Sequence, residues 1–233
     1  MWNIRRLPRK PWLVIFAALL CTVIELRLGN FGMLLGAEPA PAGIVLEDFE
    51  KHGMANFPKN WWSGGRAQAV YRIEIDGDNR YLHARAVSEG VPIGLQHVFD
   101  PKKQQQLRWR WRVRALPVGA DERNAEKHDA AAQVYVIFDN QYWPRVIKFI
   151  WSATLPVRSR FTNPMYDRGR FVVLRSGMPK KPGWYEEQVN FYDEYKKFFG
   201  NKPGQVQGIG ILTSSDSTKS LAIADYDDFV LLP

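Results

Sequence analysis

The run Leu107-Arg108-Trp109-Arg110-Trp111-Arg112-Val113-Arg114-Ala115 alternates apolar and cationic side chains without a break. A two-residue period places the two sets on opposite faces of a β-strand. Leu107, Trp109, Trp111, Val113 and Ala115 then require a core, while Arg108, Arg110, Arg112 and Arg114 line the other face about 7 Å apart. Like charges at that separation repel by about 0.6 kcal/mol in water and about 2.4 kcal/mol at an effective dielectric of 20. The row must be solvated, paired with carboxylates on adjacent strands, or held for an anionic or polar partner. Guanidinium forks suit carboxylate and phosphate, and Gln133, Tyr135 and Lys148 are the polar neighbours expected beside the row on a concave sheet face. The rival role is a ladder of cross-strand ion pairs with Glu74, Asp139 or Glu187.

Aromatic side chains form a second set. Trp61-Trp62 and Tyr142-Trp143 stand beside Gly, Pro, Asn and Asp, in sequence typical of loops. Rings exposed there can stack on the apolar face of a sugar, or they can plug the ends of a sandwich. For Trp109, Trp111, Trp151 and Trp184 the expectation is core packing.

The acids form a third. Glu47 and Asp48 fall in the first predicted strand, Asp227 and Asp228 in the last. Pairing of these strands, common in jelly rolls, would gather oxygen ligands for a structural calcium, which takes six or more; the same acids could instead pair with arginines. No other cofactor is implied. For catalysis, the four histidines make no helical metal pair, and there is neither a Gly-x-Ser-x-Gly elbow nor a phosphate loop. Asp129 with Glu186 or Glu187 is the carboxylate pair to inspect for glycoside hydrolysis.

These residues need elements to position them. Strand-like segments recur at short intervals over 44–49, 69–75, 81–87, 94–99, 107–116, 132–138, 146–152, 171–176, 184–189, 206–212 and 221–232. Asp76-Gly77-Asp78-Asn79 reads as a hairpin turn. Phe191 to Phe199 carries aromatics at helical spacing before Gly200, predicting one short helix. The pattern predicts an all-β, antiparallel sandwich of jelly-roll type over 44–233. At 233 residues, 13% aromatic and 24% charged, the chain has the profile of a globular domain. Its net charge of +8 divides into +3 over residues 1–42 and +5 over the rest, too diffuse for a nucleic-acid stripe. The one cysteine, Cys21, excludes disulfides and thiolate metal sites from the sandwich.

Arg5, Arg6, Arg9 and Lys10 precede an uncharged run from Trp12 to Ile24, the charge pattern that sends the downstream chain across a membrane. The small-residue sites at Ala37 and Ala42 lie far past that run or come after Glu25 and Arg27. A retained anchor over residues 1–37 is therefore favoured over a cleaved signal, although the run must extend to Leu28 to approach the hydrocarbon thickness. Residues 38–43, Glu-Pro-Ala-Pro-Ala-Gly, read as a linker. The bulk of the chain is expected in the periplasm or otherwise outside the cytoplasm.

Several landmarks occur in order: the arginine strand, His128-Asp129-Ala130-Ala131-Ala132-Gln133-Val134-Tyr135-Val136, Ile147-Lys148-Phe149-Ile150-Trp151, residues 184–200, and Ile209 through Asp216-Ser217-Thr218 to Asp228. Together they resemble the bacterial exported family called domain of unknown function 3047, over about residues 44–232. That family usually has a second acid where His128 stands, an arginine at Gln188 and an Asp-rich turn at Ser214-Ser215, so a site built there is altered in this chain. The resemblance implies no established activity; its general look is that of carbohydrate-binding jelly rolls, an analogy of fold alone. The leading expectation is a membrane-anchored, non-catalytic binding module for a glycan-like or anionic ligand. Its rivals are an accessory subunit of a membrane protein complex, which the intramembrane charges Glu25 and Arg27 would suit, and a carbohydrate-active enzyme. Nucleic acid is not an expected partner.

Overall fold

The computed structural model describes residues 43–139 and 142–233. The anchor expected over 1–37 and nearly all of the linker lie outside these residues. No helix among the described residues is long and apolar enough to cross a membrane.

In chain order the elements are β1 (Ile44–Glu47), β2 (Trp61–Ser63), α1 (Ala67–Val70), β3 (Tyr71–Asp76), β4 (Asn79–Val87), β5 (Ile93–Phe99) and β6 (Gln106–Ala115). There follow β7 (Ala132–Phe138), β8 (Arg145–Ser152), β9 (Arg160–Thr162), β10 (Gly169–Ser176), β11 (Tyr185–Asn190), α2 (Phe191–Phe199), β12 (Val206–Leu212) and β13 (Leu221–Leu232). Two sheets result. One runs β11-β6-β13-β4-β3 with β1 added to β13; the other runs β2-β5-β12-β7-β8-β10-β9.

This is the all-β sandwich that alternation predicts, with two differences. β8 and β10 pair in parallel. Strands close in sequence can pair in parallel only if the chain doubles back between them, and β9 does this, lying antiparallel to β10. The other difference is that β2 and β9, three residues each, are edge strands in sequence that reads as loop. Three residues are too few to show a period. α1 is a single turn, whereas α2 is the predicted helix, capped by the Asn190 side chain and ended by Gly200 in the left-handed region. The β3–β4 hairpin turns through Gly77 at φ 64°.

The core lies between the sheets. Trp109 and Trp111 from β6 meet Phe149 and Trp151 from β8, with ring centroids 6.0 and 5.8 Å apart. Tyr226 and Phe229 from β13, Phe138 from β7 and Ile209 and Ile211 from β12 complete the contact. Each inward residue leaves its chain neighbours pointing out, so the outer faces of both sheets carry whatever chemistry the strands have.

Candidate functional site

On the outer face of the six-stranded sheet the arginine row is a paired ladder. Its acids come from β13, with Asp76 of β3 added 3.3 Å from Arg112, and not from Glu74, Asp139 or Glu187. The Asp225 carboxylate accepts from Arg112 Nε at 2.6 Å and Arg114 Nε at 2.7 Å, and its other oxygen lies 2.7 Å from His83 Nδ1. Burial alone would raise the pKa of Asp225, but His83, Arg112 and Arg114 outweigh it and hold the carboxyl below the ordinary aspartate value. Arg110 reaches Asp227 at 2.7 Å and Asp228 at 2.8 Å. Asp227 is fully buried, and desolvation pushes its pKa up to about 6 despite Asn79 and Arg110. Arg108 stands across from Val230 and Gln188 and makes no ion pair among the described residues. Trp184 is not in the core as expected. Half-buried, its ring lies over Arg110 and Arg112, 4.8 and 4.4 Å from the guanidinium carbons.

Gln133, Tyr135 and Lys148 do not join this row, because β7 and β8 belong to the other sheet. They do meet one another: Lys148 Nζ donates to the Tyr135 hydroxyl at 3.2 Å, and that hydroxyl donates to Gln133 Oε1 at 3.3 Å. Gln133 Nε2 continues the chain to Ser214 Oγ. The Lys148 ammonium sits 4.3 Å from the Tyr135 ring centroid and 5.4 Å from that of Phe171. No carboxylate pairs with it among the described residues, and desolvation lowers its pKa to about 8.

The carboxylates proposed for calcium are engaged elsewhere. β1 and β13 pair as expected, with Glu47 opposite Phe229. However, Glu47 Oε2 takes His52 Nε2 and Trp61 Nε1, both at 3.1 Å, and Asp48 accepts from the Glu50 amide. Asp227 and Asp228 are held by Arg110. No group of three or more His, Cys, Asp or Glu among the described residues is placed to hold a metal ion. Asp129, fully buried, accepts from the Thr218 amide and hydroxyl, both at 2.7 Å, while Glu187 accepts from Trp111 Nε1 and pairs with Arg175.

The open chemistry lies on the outer face of the seven-stranded sheet. In β2, Trp61 points into the core, 5% exposed, and Trp62 points out, 51% exposed. The Trp62 ring lies against Gly94 of β5, where a Cβ would stand 2.3 Å from the indole. Register continues this rung from Gly94 to Gly210 of β12, to Tyr135 and to Lys148. The adjacent rung runs Gln96, Gly208, Ile137, Val146. Over that second rung lies a groove of about 420 Å³ lined by Trp62, Leu95, Gln96, Ile137, Pro144, Gln207 and Gly208. Its floor depends on Gly208, whose φ is 156° and where a Cβ would fall 2.2 Å from the Leu95 carbonyl oxygen. Gln207 Nε2 donates to the Asp139 carbonyl at 2.8 Å, which fixes the amide and leaves Oε1 to accept. Trp143, 61% exposed, adjoins Pro144 at the far end and packs edge-on against Tyr166; Tyr142 beside it is more exposed still.

Sequence reasoning thus singled out Trp62 but not the groove's floor. Gly94, Gly208 and Gly210 carry no signal until register sets them side by side.

No curated protein matches the sequence. Among solved structures, the Emp47p carbohydrate recognition domain is similar at 10% identity, with 80% of this chain and 93% of that one covered and a TM-score of 0.41. The family 11 xylanase from Neocallimastix patriciarum is also 10% identical, covering 74% and 91%, with a TM-score of 0.32. The xyloglucanase domain of NopAA from Sinorhizobium fredii is 12% identical, covering 74% and 97%, with a TM-score of 0.29. At such identities, what those proteins bind or cleave is a property of theirs. The sequence itself is more specific: a family model, protein of unknown function DUF3047, matches residues 58–230. That span runs from just before Trp61 almost to the end of the last strand, and the chain belongs to the DUF3047 family.

Proposed function

We propose that the protein is a non-catalytic binding module that holds a glycan-like ligand in the groove beside Trp62, and that residues 1–37 tether it to a membrane with the sandwich outside the cytoplasm. The observation that carries the binding reading is the Trp62 indole, half exposed, braced over Gly94 and opening onto a groove with two carboxamides. An exposed indole face takes the C–H side of a sugar ring, and amides fix its hydroxyls. The groove volume falls in the range of ordinary ligand sites. Binding is favoured over turnover because Asp129 and Glu187, two of the three carboxylates singled out for acid–base work, are occupied by hydrogen bonds and an ion pair, while the third, Glu186, is exposed. The tether rests on the basic flank and uncharged run of residues 5–24.

The test is a polysaccharide panel probed with the full chain in detergent. Trp62→Ala should weaken retention by about 10-fold or more, the cost of losing a central aromatic contact, with the melting temperature unchanged. Unaltered retention would remove this groove from consideration. Resistance of the chain to alkaline extraction from membranes checks the tether.

A further inference from the structure

We infer that the ligand is an uncharged, linear glycan, gripped along the interior of its chain as it lies across the strands from Trp62 to Pro144. The inference rests on the binding reading above and adds the ligand's charge, shape and length.

Charge follows from the lining. None of Trp62, Leu95, Gln96, Ile137, Pro144, Gln207 and Gly208 is ionisable. Of the flanking ions, Asp139 lies 3.9 Å from Arg145 and 3.7 Å from Arg168, and the Lys148 ammonium, which has no carboxylate partner among the described residues, donates to the Tyr135 hydroxyl and is not part of the lining. A carboxylate or sulfate in the groove would lose water and meet no counter-charge.

Shape follows from where the groove ends. β2 is the outermost strand of its sheet, so past Trp62 the groove runs off an edge instead of meeting a wall. At the other end Trp143, exposed beside Pro144, offers a second ring. A chain can leave past the β2 edge. A blind pocket would instead select a terminal residue.

Length follows from strand count. From β2 across β5, β12 and β7 to β8 there are four neighbour steps, about 19 Å at the usual strand spacing, room for about three to four pyranose rings end to end. The middle of that path is the floor at Gly208 and Ile137, where the Gln207 acceptor is already fixed.

The test uses the full chain titrated with cello-, xylo-, manno- and laminari-oligosaccharides of increasing length, their alditols, and oligogalacturonates as the acidic counterpart. In a responding series affinity should climb by about 10-fold or more from one ring to about four and then level off. Reduction of the end sugar should change the tetramer's affinity by less than about 2-fold, and oligogalacturonates should not compete. Gln207→Leu should weaken the tetramer more than the monosaccharide. A monosaccharide as tight as its tetramer, loss of binding in the alditol, or preference for oligogalacturonate would overturn this inference while leaving the binding module intact. Silence in every series, with Trp62→Ala indistinguishable from wild type on the panel, would remove both.

Discussion

Asp225 shows how little latitude some residues have. One fully buried carboxylate serves Arg112, Arg114 and His83, so removing its charge leaves cations facing each other across a desolvated face. Asp225→Asn should cost about 3–5 kcal/mol of unfolding free energy, measured by denaturant titration. Its depressed pKa gives a sign: the stability it supplies is complete above the unfolded aspartate value and is lost as pH falls through the lower, folded value. Lys148 behaves in the opposite sense. With a folded pKa of about 8 against an ordinary value of 10.5, it is a charge the folded state would rather not carry. Stability should therefore rise as pH climbs from about 8 to about 10.5, where the unfolded chain binds more protons. Lys148→Met should melt higher than wild type at pH 7 by about 1–3 kcal/mol equivalent, and the advantage should vanish toward pH 10.5. At this scale the sequence is least legible. That the arginines alternate is plain from Leu107 to Ala115. That they meet Asp225, Asp227 and Asp228 depends on which strand lies beside β6, and β13 arrives there from more than a hundred residues away.

Elements were more legible, because hydrophobic period is local. β6 carries its indoles inward as predicted, and Trp111 is fully buried against Trp109, Trp151 and the Glu187 acceptor. Trp111→Ala should destabilise the domain by about 3–5 kcal/mol in thermal or denaturant unfolding. The helix over Phe191–Phe199 was announced by its aromatic spacing and by Gly200 after it. The elements that escaped prediction are the one-turn α1, whose Ala69 and Val70 read as strand, the three-residue edges β2 and β9, and the parallel pairing of β8 with β10. The edges and the pairing depend on neighbours: a short edge exists only because a longer strand offers it hydrogen bonds, and strand direction is set by the path of the connection. Trp62 therefore read as a loop residue although it is a strand residue with a fixed register.

In the whole molecule the two outer faces have different work. On one, arginines, acids and Trp184 neutralise each other; on the other, glycines, amides and Trp62 leave a groove open. Reversing the ladder with Arg110→Glu and Arg112→Glu should lower the melting temperature, leaving glycan retention per folded molecule as it was; loss of retention in a fully folded variant would move the site to the arginine face. Both faces hang on a shared core, yet they touch it differently, and β2 makes the point in three residues. Trp61 is riveted inside, stacked on Phe49 and hydrogen-bonded to Glu47, while its neighbour Trp62 is displayed outside. Anchorage and display are thus written in adjacent codons. Selection can repaint the outward ring while the inward one keeps the strand in place, so the displayed surface can drift without the scaffold loosening.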